Sequence, residues 1–283
     1  MIKQRYGYYY SLPIFLWSII FFVIPLLIII VYSFLDRSTY GGVVWTFTVD
    51  AYRALVNPHL VKTCWTTLWM ATVATVIMLG LAIPSAYFIV RSPHKNFWLL
   101  LIIIPFWTNF LIRIYAWIAI LGNNGFLNQF LVYLKITHDY IQFLYNPLAV
   151  IIVLVYTYLP FAIFPLYANM EKFDFGLLEA ARDLGATKFQ SIFKVLLPNI
   201  KAGLLSSILF SFIPAFGSYA IPLLVGGRDS YMLGNIIERQ LTVARNWPLA
   251  SAISTLLILI TFIGICFISF SKANKNHTIK EDY

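Results

Sequence analysis

The stretch EAARDLGATKFQSIFKVLLP, at residues 179–198, carries five charged residues in a chain of 283 residues that is 60% hydrophobic and only 11% charged. A soluble domain is about 25% charged, so the composition indicates an integral membrane protein. The stretch reads like the surface of a soluble protein, which predicts a water-exposed segment between two membrane spans. We call residues 179–198 the elbow.

The elbow region predicts a first short helix that ends at a glycine. Asp174 is of a residue type that caps helix N-termini, and the helix is expected to run from there to about Leu184. Gly185 follows at the position where many helices end in a left-handed residue. The expected apolar face of this helix consists of Leu177, Ala181 and Leu184.

A second helix is expected to begin at Thr187, because Gln190 three residues later completes a capping-box pattern. Pro198 is expected to end it. Its apolar stripe consists of Phe189, Ile192, Phe193, Leu196 and Leu197. Such an elbow could lie on membrane lipid or dock into a groove of a partner protein, and physical reasoning alone leaves both open.

Membrane-spanning helices need about 20 apolar residues, and the chain has six such runs. The first is too long for a signal peptide and is expected to be a membrane helix. Arg113 is the only charged residue within the six. The runs are residues 12–34, 63–90, 97–121, 147–169, 203–225 and 249–271.

Twelve of the twenty Lys and Arg residues flank the six spans on the side that holds both termini, and seven lie on the opposite side. Since positive loops stay inside, the chain is expected in the cytoplasmic membrane with both termini in the cytoplasm. The basic residues are scattered over four segments without a basic stripe, which argues against nucleic-acid binding.

The spacing E-A-A, three residues, G, nine residues, I-x-L-P resembles the motif shared by membrane subunits of ABC importers. Val195 departs mildly from the usual Ile. The matching residues are Glu179, Ala180, Ala181, Gly185, Leu197 and Pro198. The resemblance implies an all-α type I (MetI-like) importer domain with six transmembrane helices, whose elbow couples to an ATPase subunit.

The resemblance also implies a domain organisation and a set of partners. Residues 1–60 would form a cytoplasmic tail, the first helix and an outward loop. Residues 61–273 would form the importer domain, with the coupling loop at 170–202, and residues 274–283 a cytoplasmic tail. The partners would be two ABC ATPase subunits, a homologous second permease subunit and an extracytoplasmic binding protein. ATP hydrolysis would lie on a partner, so this chain is expected to be no enzyme.

Three further stretches resemble the B-type permease subunits of spermidine/putrescine ABC transporters. They are PFWTNFLIRIYAWIAILGNNGFLN at 105–128, YTYLPFAIFPLYANMEKFD at 156–174 and NWPLASA at 246–252. The resemblance implies import of polyamines and a polyamine-binding protein as partner. A permease for iron, sulfate or putrescine alone is the alternative within transport.

The six spans contain no Asp or Glu, so a polyamine path could offer only aromatic faces to a cation. Arg113 would cost about 2.5–3.5 kcal/mol at mid-membrane, and we expect a gate or anchor rather than a substrate contact. Pro214, Gly217 and Pro222 weaken the fifth span, which is expected to line the path. Trp117 is a further candidate aromatic face. The expected path residues are Trp107, Asn109, Arg113, Tyr115, Tyr156, Tyr158, Phe216 and Tyr219.

Chemistry within the membrane is not expected. All four histidines lie outside the spans, which argues against an intramembrane hydrolase. A proton-coupled secondary transporter would need intramembrane acids. Cys64 and Cys266 stand far apart without clustered ligands, so no metal or cofactor is predicted.

Overall fold

The computed structural model describes residues 12–278 of the chain, and the side chains of residues 12–266. Within this part the chain is helical apart from one short β-hairpin, and the predicted all-α membrane fold is confirmed. The contacts divide the chain into two compact units. The expected tail at residues 1–11 lies outside the described residues.

The first unit comprises residues 12–62 and 236–264 of the described part. An apolar helix, a hairpin and a short helix follow one another at its start. These elements are α1 (Leu12–Tyr32), β1 (Leu35–Arg37), β2 (Val43–Phe47) and α2 (Asp50–Leu55).

The antiparallel hairpin β1–β2 is held by aromatic packing. Phe34 stacks on Phe47 with ring centroids 5.6 Å apart and contacts Tyr52 at 4.9 Å. The hydroxyls of Ser33 and Tyr52 are 2.7 Å apart and share a hydrogen bond. The hairpin was not predicted, because strands of three and five residues are too short to show a readable alternation.

The second unit comprises residues 63–235 and 265–278 of the described part. Two long helices enter both units: α3 (Pro58–Arg91) and, near the C-terminus, α13 (Trp247–Thr278). Between them lie α4 (Lys95–Ile103, continued as a 3-10 turn over Ile104–Trp107), α5 (Phe110–Leu121), α6 (Phe126–Tyr133), α7 (Pro147–Met170), α8 (Gly176–Asp183), α9 (Lys188–Asn199), α10 (Lys201–Phe216), α11 (Ala220–Val225), a 3-10 turn (Arg228–Ser230) and α12 (Leu233–Thr242).

Helices α7 and α10 form the packed centre of this unit. Small residues of α10 recur every fourth position on its buried face: Gly203, Ser207, Ser211 and Ala215. A Cβ added to Gly203 would lie 2.7 Å from Cβ of Asn169, and Ser207 Oγ donates a buried hydrogen bond of 2.7 Å to the carbonyl of Ala162. Such spacing lets two membrane helices approach closely.

Five helices in the described part are long and apolar enough to cross a membrane, and a sixth results if the bent pair α9–α10 is one span. They are Leu12–Tyr32, Pro58–Arg91, Phe110–Tyr133, Pro147–Met170 and Trp247–Cys266. The helices α9 and α10 meet at 78°. The count of six predicted spans therefore agrees roughly with the structure, although the third and fifth are not single helices and the bounds of the other four shift by a few residues.

The expected third span at 97–121 is wrong as a single helix. The chain breaks after the 3-10 turn, where Thr108 is extended with φ −84° and ψ 146°. Pro105 lies within this 3-10 turn. Because proline cannot donate a backbone hydrogen bond and the two residues Thr108 and Asn109 are extended, the result is two separate helices.

The expected fifth span at 203–225 is also wrong as a single helix. Helix α10 ends at Phe216, and α11 begins at Ala220 after a three-residue break. The sequence predicts weak points at the prolines and the glycine of this segment, and Gly217 lies in the break itself.

Candidate functional site

The first elbow helix, α8, begins two residues after the expected cap. Its N-cap position is Phe175, so the predicted cap is off by one residue, although Asp174 Oδ1 accepts a hydrogen bond of 2.9 Å from the backbone N–H of Gly176. The helix ends at Asp183, one residue before the expected end. Glu179, Ala180 and Ala181 therefore all lie on a regular helix.

Gly185 has the left-handed conformation that its position predicted, with φ +89°. The N–H of Gly185 donates to the carbonyl of Arg182 at 2.9 Å, and that of Ala186 donates to the carbonyl of Ala181 at 3.0 Å. This is the two-bond pattern that closes a helix around a left-handed residue. A Cβ on Gly185 would meet no atom within 4 Å, so the backbone conformation alone requires glycine here.

The second elbow helix, α9, has the predicted capping box. Thr187 Oγ1 accepts from the N–H of Gln190 at 3.2 Å, and Gln190 Oε1 accepts from the N–H of Thr187 at 3.0 Å. The prediction that Pro198 ends the helix is wrong by one residue. A π-helical turn over Ile192–Leu196 precedes the proline, and the helix continues to Asn199.

The predicted apolar faces of the elbow are covered only in part by the rest of this chain. Leu184, Phe189 and Phe193 are 90%, 76% and 64% exposed. The buried apolar side chains of the two helices are Leu178 and Leu196, of which only the second belongs to a predicted face. The elbow thus presents large apolar side chains outward on both of its helices.

An ion pair that the sequence did not indicate lies at the base of the elbow. Lys95 Nζ donates to Glu171 Oε1 at 2.7 Å, and the hydroxyl of Tyr167 donates to the same oxygen at 2.8 Å. The hydrogen bond from Lys95 holds the pKa of the Glu171 carboxyl below its ordinary value. The same bond raises the pKa of the Lys95 ammonium group. The pair is therefore fully charged at neutral pH.

Trp107, Asn109 and Arg113, three of the expected path residues, lie at or near the break in the third apolar segment. Asn109 caps α5, accepting from the N–H of Leu111 at 2.8 Å, and Trp107 is 79% exposed just before it. The guanidinium carbon of Arg113 lies 5.0 Å from the ring centre of Phe106 and 5.9 Å from that of Phe110. Arg113 thus packs over two aromatic faces.

Helix α5 packs against α7 and α11, which brings several of the expected path residues to one region. Trp117 of α5 contacts Tyr156 of α7 edge to face at 5.3 Å. Tyr115 and Tyr219 are half exposed. Tyr158 lies further along α7, against Phe161. Phe216 differs from the others, because its ring is fully buried and stacks on Phe212.

The break between α10 and α11 is held by a segment that sequence reasoning missed. Asn235, buried at the start of α12, donates a hydrogen bond of 2.7 Å to the carbonyl of Tyr219 and accepts one of 3.0 Å from the N–H of Met232. The buried Thr67 accepts from the N–H of Leu233 at 2.9 Å.

Within residues 12–278 no three His, Cys, Asp or Glu side chains are grouped so that they could hold a metal ion.

Known proteins resemble this chain over most of its length. A family model for the binding-protein-dependent transport system inner membrane component matches residues 5–273. The spermidine/putrescine transport system permease protein PotB of Escherichia coli is 39% identical over 261 residues, which cover 92% of this chain and 94% of that protein.

Two solved structures share the fold. One is a bacterial ABC transporter involved in the import of the acidic polysaccharide alginate, with a TM-score of 0.77, 17% identity and coverage of 96% of this chain and 97% of that one. The other is a bacterial alginate ABC transporter in complex with an alginate pentasaccharide-bound periplasmic protein, with a TM-score of 0.71, 19% identity and coverage of 94% of both chains.

Proposed function

The chain belongs to the family of inner membrane components of binding-protein-dependent transport systems, and from this premise we propose that it is the permease subunit of an ATP-driven polyamine importer. The observation that carries the proposal is 39% identity over 92% of the chain to a spermidine/putrescine permease. The substrates would be spermidine and putrescine, and the chain itself would catalyse no reaction.

The elbow is the proposed site of contact with the ATPase. Its outward-facing Leu184, Phe189 and Phe193 form an apolar surface that membrane lipid or a protein cleft could cover. The charged and small residues of α8 favour docking into a protein cleft over contact with lipid. Glu179 can pair with hydrogen-bond donors of a partner, and Ala180 and Ala181 permit close approach. We therefore assign coupling to Glu179, Ala180, Ala181, Gly185, Leu197 and Pro198.

The partners follow from this role. An importer of this kind needs an ATPase and an extracytoplasmic binding protein. We propose two ATPase subunits, a homologous second permease subunit and a polyamine-binding protein. The distribution of Lys and Arg supports a cytoplasmic elbow and cytoplasmic termini.

The proposed translocation path uses aromatic faces in place of carboxylates. Trp107, Tyr115 and Tyr219 are at least half exposed, and a polyamine ammonium group could lie over such rings. The path would further include Asn109, Arg113, Tyr156, Tyr158 and Phe216. Because Arg113 already covers two rings and is itself cationic, its role would be that of an anchor or gate.

The test is purification of the tagged chain in mild detergent, followed by uptake measurements. We expect an ABC ATPase and a second permease to co-purify, and cells that express the complex to accumulate labelled spermidine. Competition by unlabelled putrescine, sulfate and ferric iron identifies the substrate class. Competition by sulfate or iron alone would overturn the polyamine assignment, and purification without an ATPase would overturn the coupling role.

A further inference from the structure

The segment that leads from α7 into the elbow is held at both ends by two side chains that flank the turn between α3 and α4. At its start, Glu171 binds Lys95, the first residue of α4, at 2.7 Å. At its end, the ring centre of Phe175 lies 5.5 Å from the guanidinium carbon of Arg91, the last residue of α3. We call these two contacts the elbow anchor.

The orientation of Arg91 in the elbow anchor is fixed by Tyr87, one turn earlier on α3. Arg91 Nη1 donates to the Tyr87 hydroxyl at 3.0 Å, and the Tyr87 ring meets Phe175 edge to face at 5.8 Å. A planar guanidinium that is both hydrogen-bonded and stacked has a defined position, unlike a mobile surface cation. Phe175 immediately precedes α8, so its ring position fixes where the first elbow helix begins.

The anchor therefore connects the elbow with helices to which it is not adjacent in sequence. The chain links the elbow to α7 and α10, whereas the anchor links it to the end of α3 and the start of α4. Helix α4 leads to the break at Thr108, directly before the helix that carries Arg113 and Trp117. A displacement of the elbow thus has a short route to the proposed path.

We propose that the elbow anchor transmits movement of the elbow to α3 and α4, with Lys95, Glu171 and Arg91 as positioning residues. This inference rests on the coupling role proposed above. The pair Lys95–Glu171 is 45% and 43% exposed, and exposed ion pairs contribute little to stability. Its distinctive property is geometric, since it fixes the base of the elbow against another pair of helices.

The test is charge reversal in the complete importer, reconstituted in proteoliposomes with its ATPase, second permease and binding protein. Lys95→Glu and Glu171→Lys should each lower the stimulation of ATP hydrolysis by loaded binding protein roughly threefold, and uptake should fall with it. A threefold change corresponds to the lower end of the interaction free energies found between contacting residues. The ATPase should still co-purify with each variant. The double variant Lys95→Glu/Glu171→Lys restores the pair with reversed polarity and should recover most of the stimulation.

Asn96→Glu is the matched control. It adds a negative charge beside Lys95 on the exposed surface of α4, and neighbouring helix positions do not face each other. We expect stimulation as in the unaltered chain.

Three results would overturn the inference: unchanged stimulation in both single variants, a double variant no better than the single ones, or an equal loss in Asn96→Glu. The unaltered complex distinguishes a failure of this inference from a failure of the proposed function. If its ATPase does not respond to the loaded binding protein at all, the coupling role itself is wrong.

Discussion

The side-chain amide of Asn235 donates a partly buried hydrogen bond of 2.7 Å to the backbone carbonyl of Tyr219, within the break that separates α10 from α11. The neighbouring Gly234 approaches the same break so closely that an added Cβ would lie 2.8 Å from the carbonyl oxygen of Ser218. A broken membrane helix exposes backbone groups that need partners, and the start of α12 supplies one of them.

Asn235→Ala should therefore destabilise the protein, because it leaves the buried N–H of Met232 and the carbonyl of Tyr219 without their side-chain partner. The expected cost is about 1–3 kcal/mol in the free energy of unfolding. Thermal unfolding of the purified chain in detergent measures it. Arg239→Ala, exposed on the same helix, should change stability by no more than about 0.5 kcal/mol. Equal midpoints for the two variants would contradict a structural role of Asn235.

The orientation of the chain follows from its basic residues and can be tested with two single cysteines. Lys188→Cys on the elbow and Asp139→Cys before α7 are both exposed, and α7 separates them. This helix has 24 residues, about 36 Å at 1.5 Å per residue, enough to cross a bilayer. An impermeant thiol reagent should label the cysteine at 139 in intact cells and the cysteine at 188 only after lysis. Labelling of both in intact cells would contradict the proposed topology.

The secondary structure of the elbow could be predicted because its signals are local. The hydrogen bond between Asp174 and Gly176, the left-handed Gly185 and the Thr187–Gln190 capping box depend on residues at most a few positions apart. Which face of each helix is covered could not be predicted in the same way. Helical spacing identifies an apolar face without saying what covers it, and here Phe189 points outward while Leu196 is buried.

The contacts that the sequence did not reveal join distant positions. Lys95 and Glu171 are 76 residues apart, and Asn235 and Tyr219 are 16 residues apart, with α11 between them. Each residue alone reads as an ordinary surface or loop residue. In the sequence, Pro105 marks a weak point of the third span and Gly217 one of the fifth. Each weak point becomes a full break because of contacts with other parts of the fold, and a single sequence does not identify those contacts.

The specificity of the proposed path depends on aromatic faces, because the spans contain no carboxylates. Trp107, which is 79% exposed beside the break, should contribute a cation–π contact worth about 0.5–2 kcal/mol. Trp107→Ala should lower spermidine uptake between about twofold and thirtyfold while the complex still assembles. Trp107→Phe should be milder, since it retains a ring.

The control for this substitution is Trp65→Ala, which removes a similarly exposed tryptophan, 69% accessible, from α3. It is not among the proposed path residues and should leave uptake close to that of the unaltered chain. Unchanged uptake in Trp107→Ala, or an equal loss in both variants, would assign Trp107 to packing rather than to the path.

Gly185→Val tests whether the elbow must keep its angle to couple the ATPase to the membrane helices. At φ +89° a side chain costs about 1–2 kcal/mol, although nothing within 4 Å would clash with it. That strain is too small to unfold the chain, but it favours a different angle between α8 and α9. We expect normal membrane insertion and normal substrate binding by the extracytoplasmic protein, with loss of stimulated ATP hydrolysis and uptake.

Gly185→Asn should retain more activity, because asparagine tolerates the left-handed region better than valine does. If valine at this position supports full stimulation and uptake, the elbow lies on the lipid surface and does not couple.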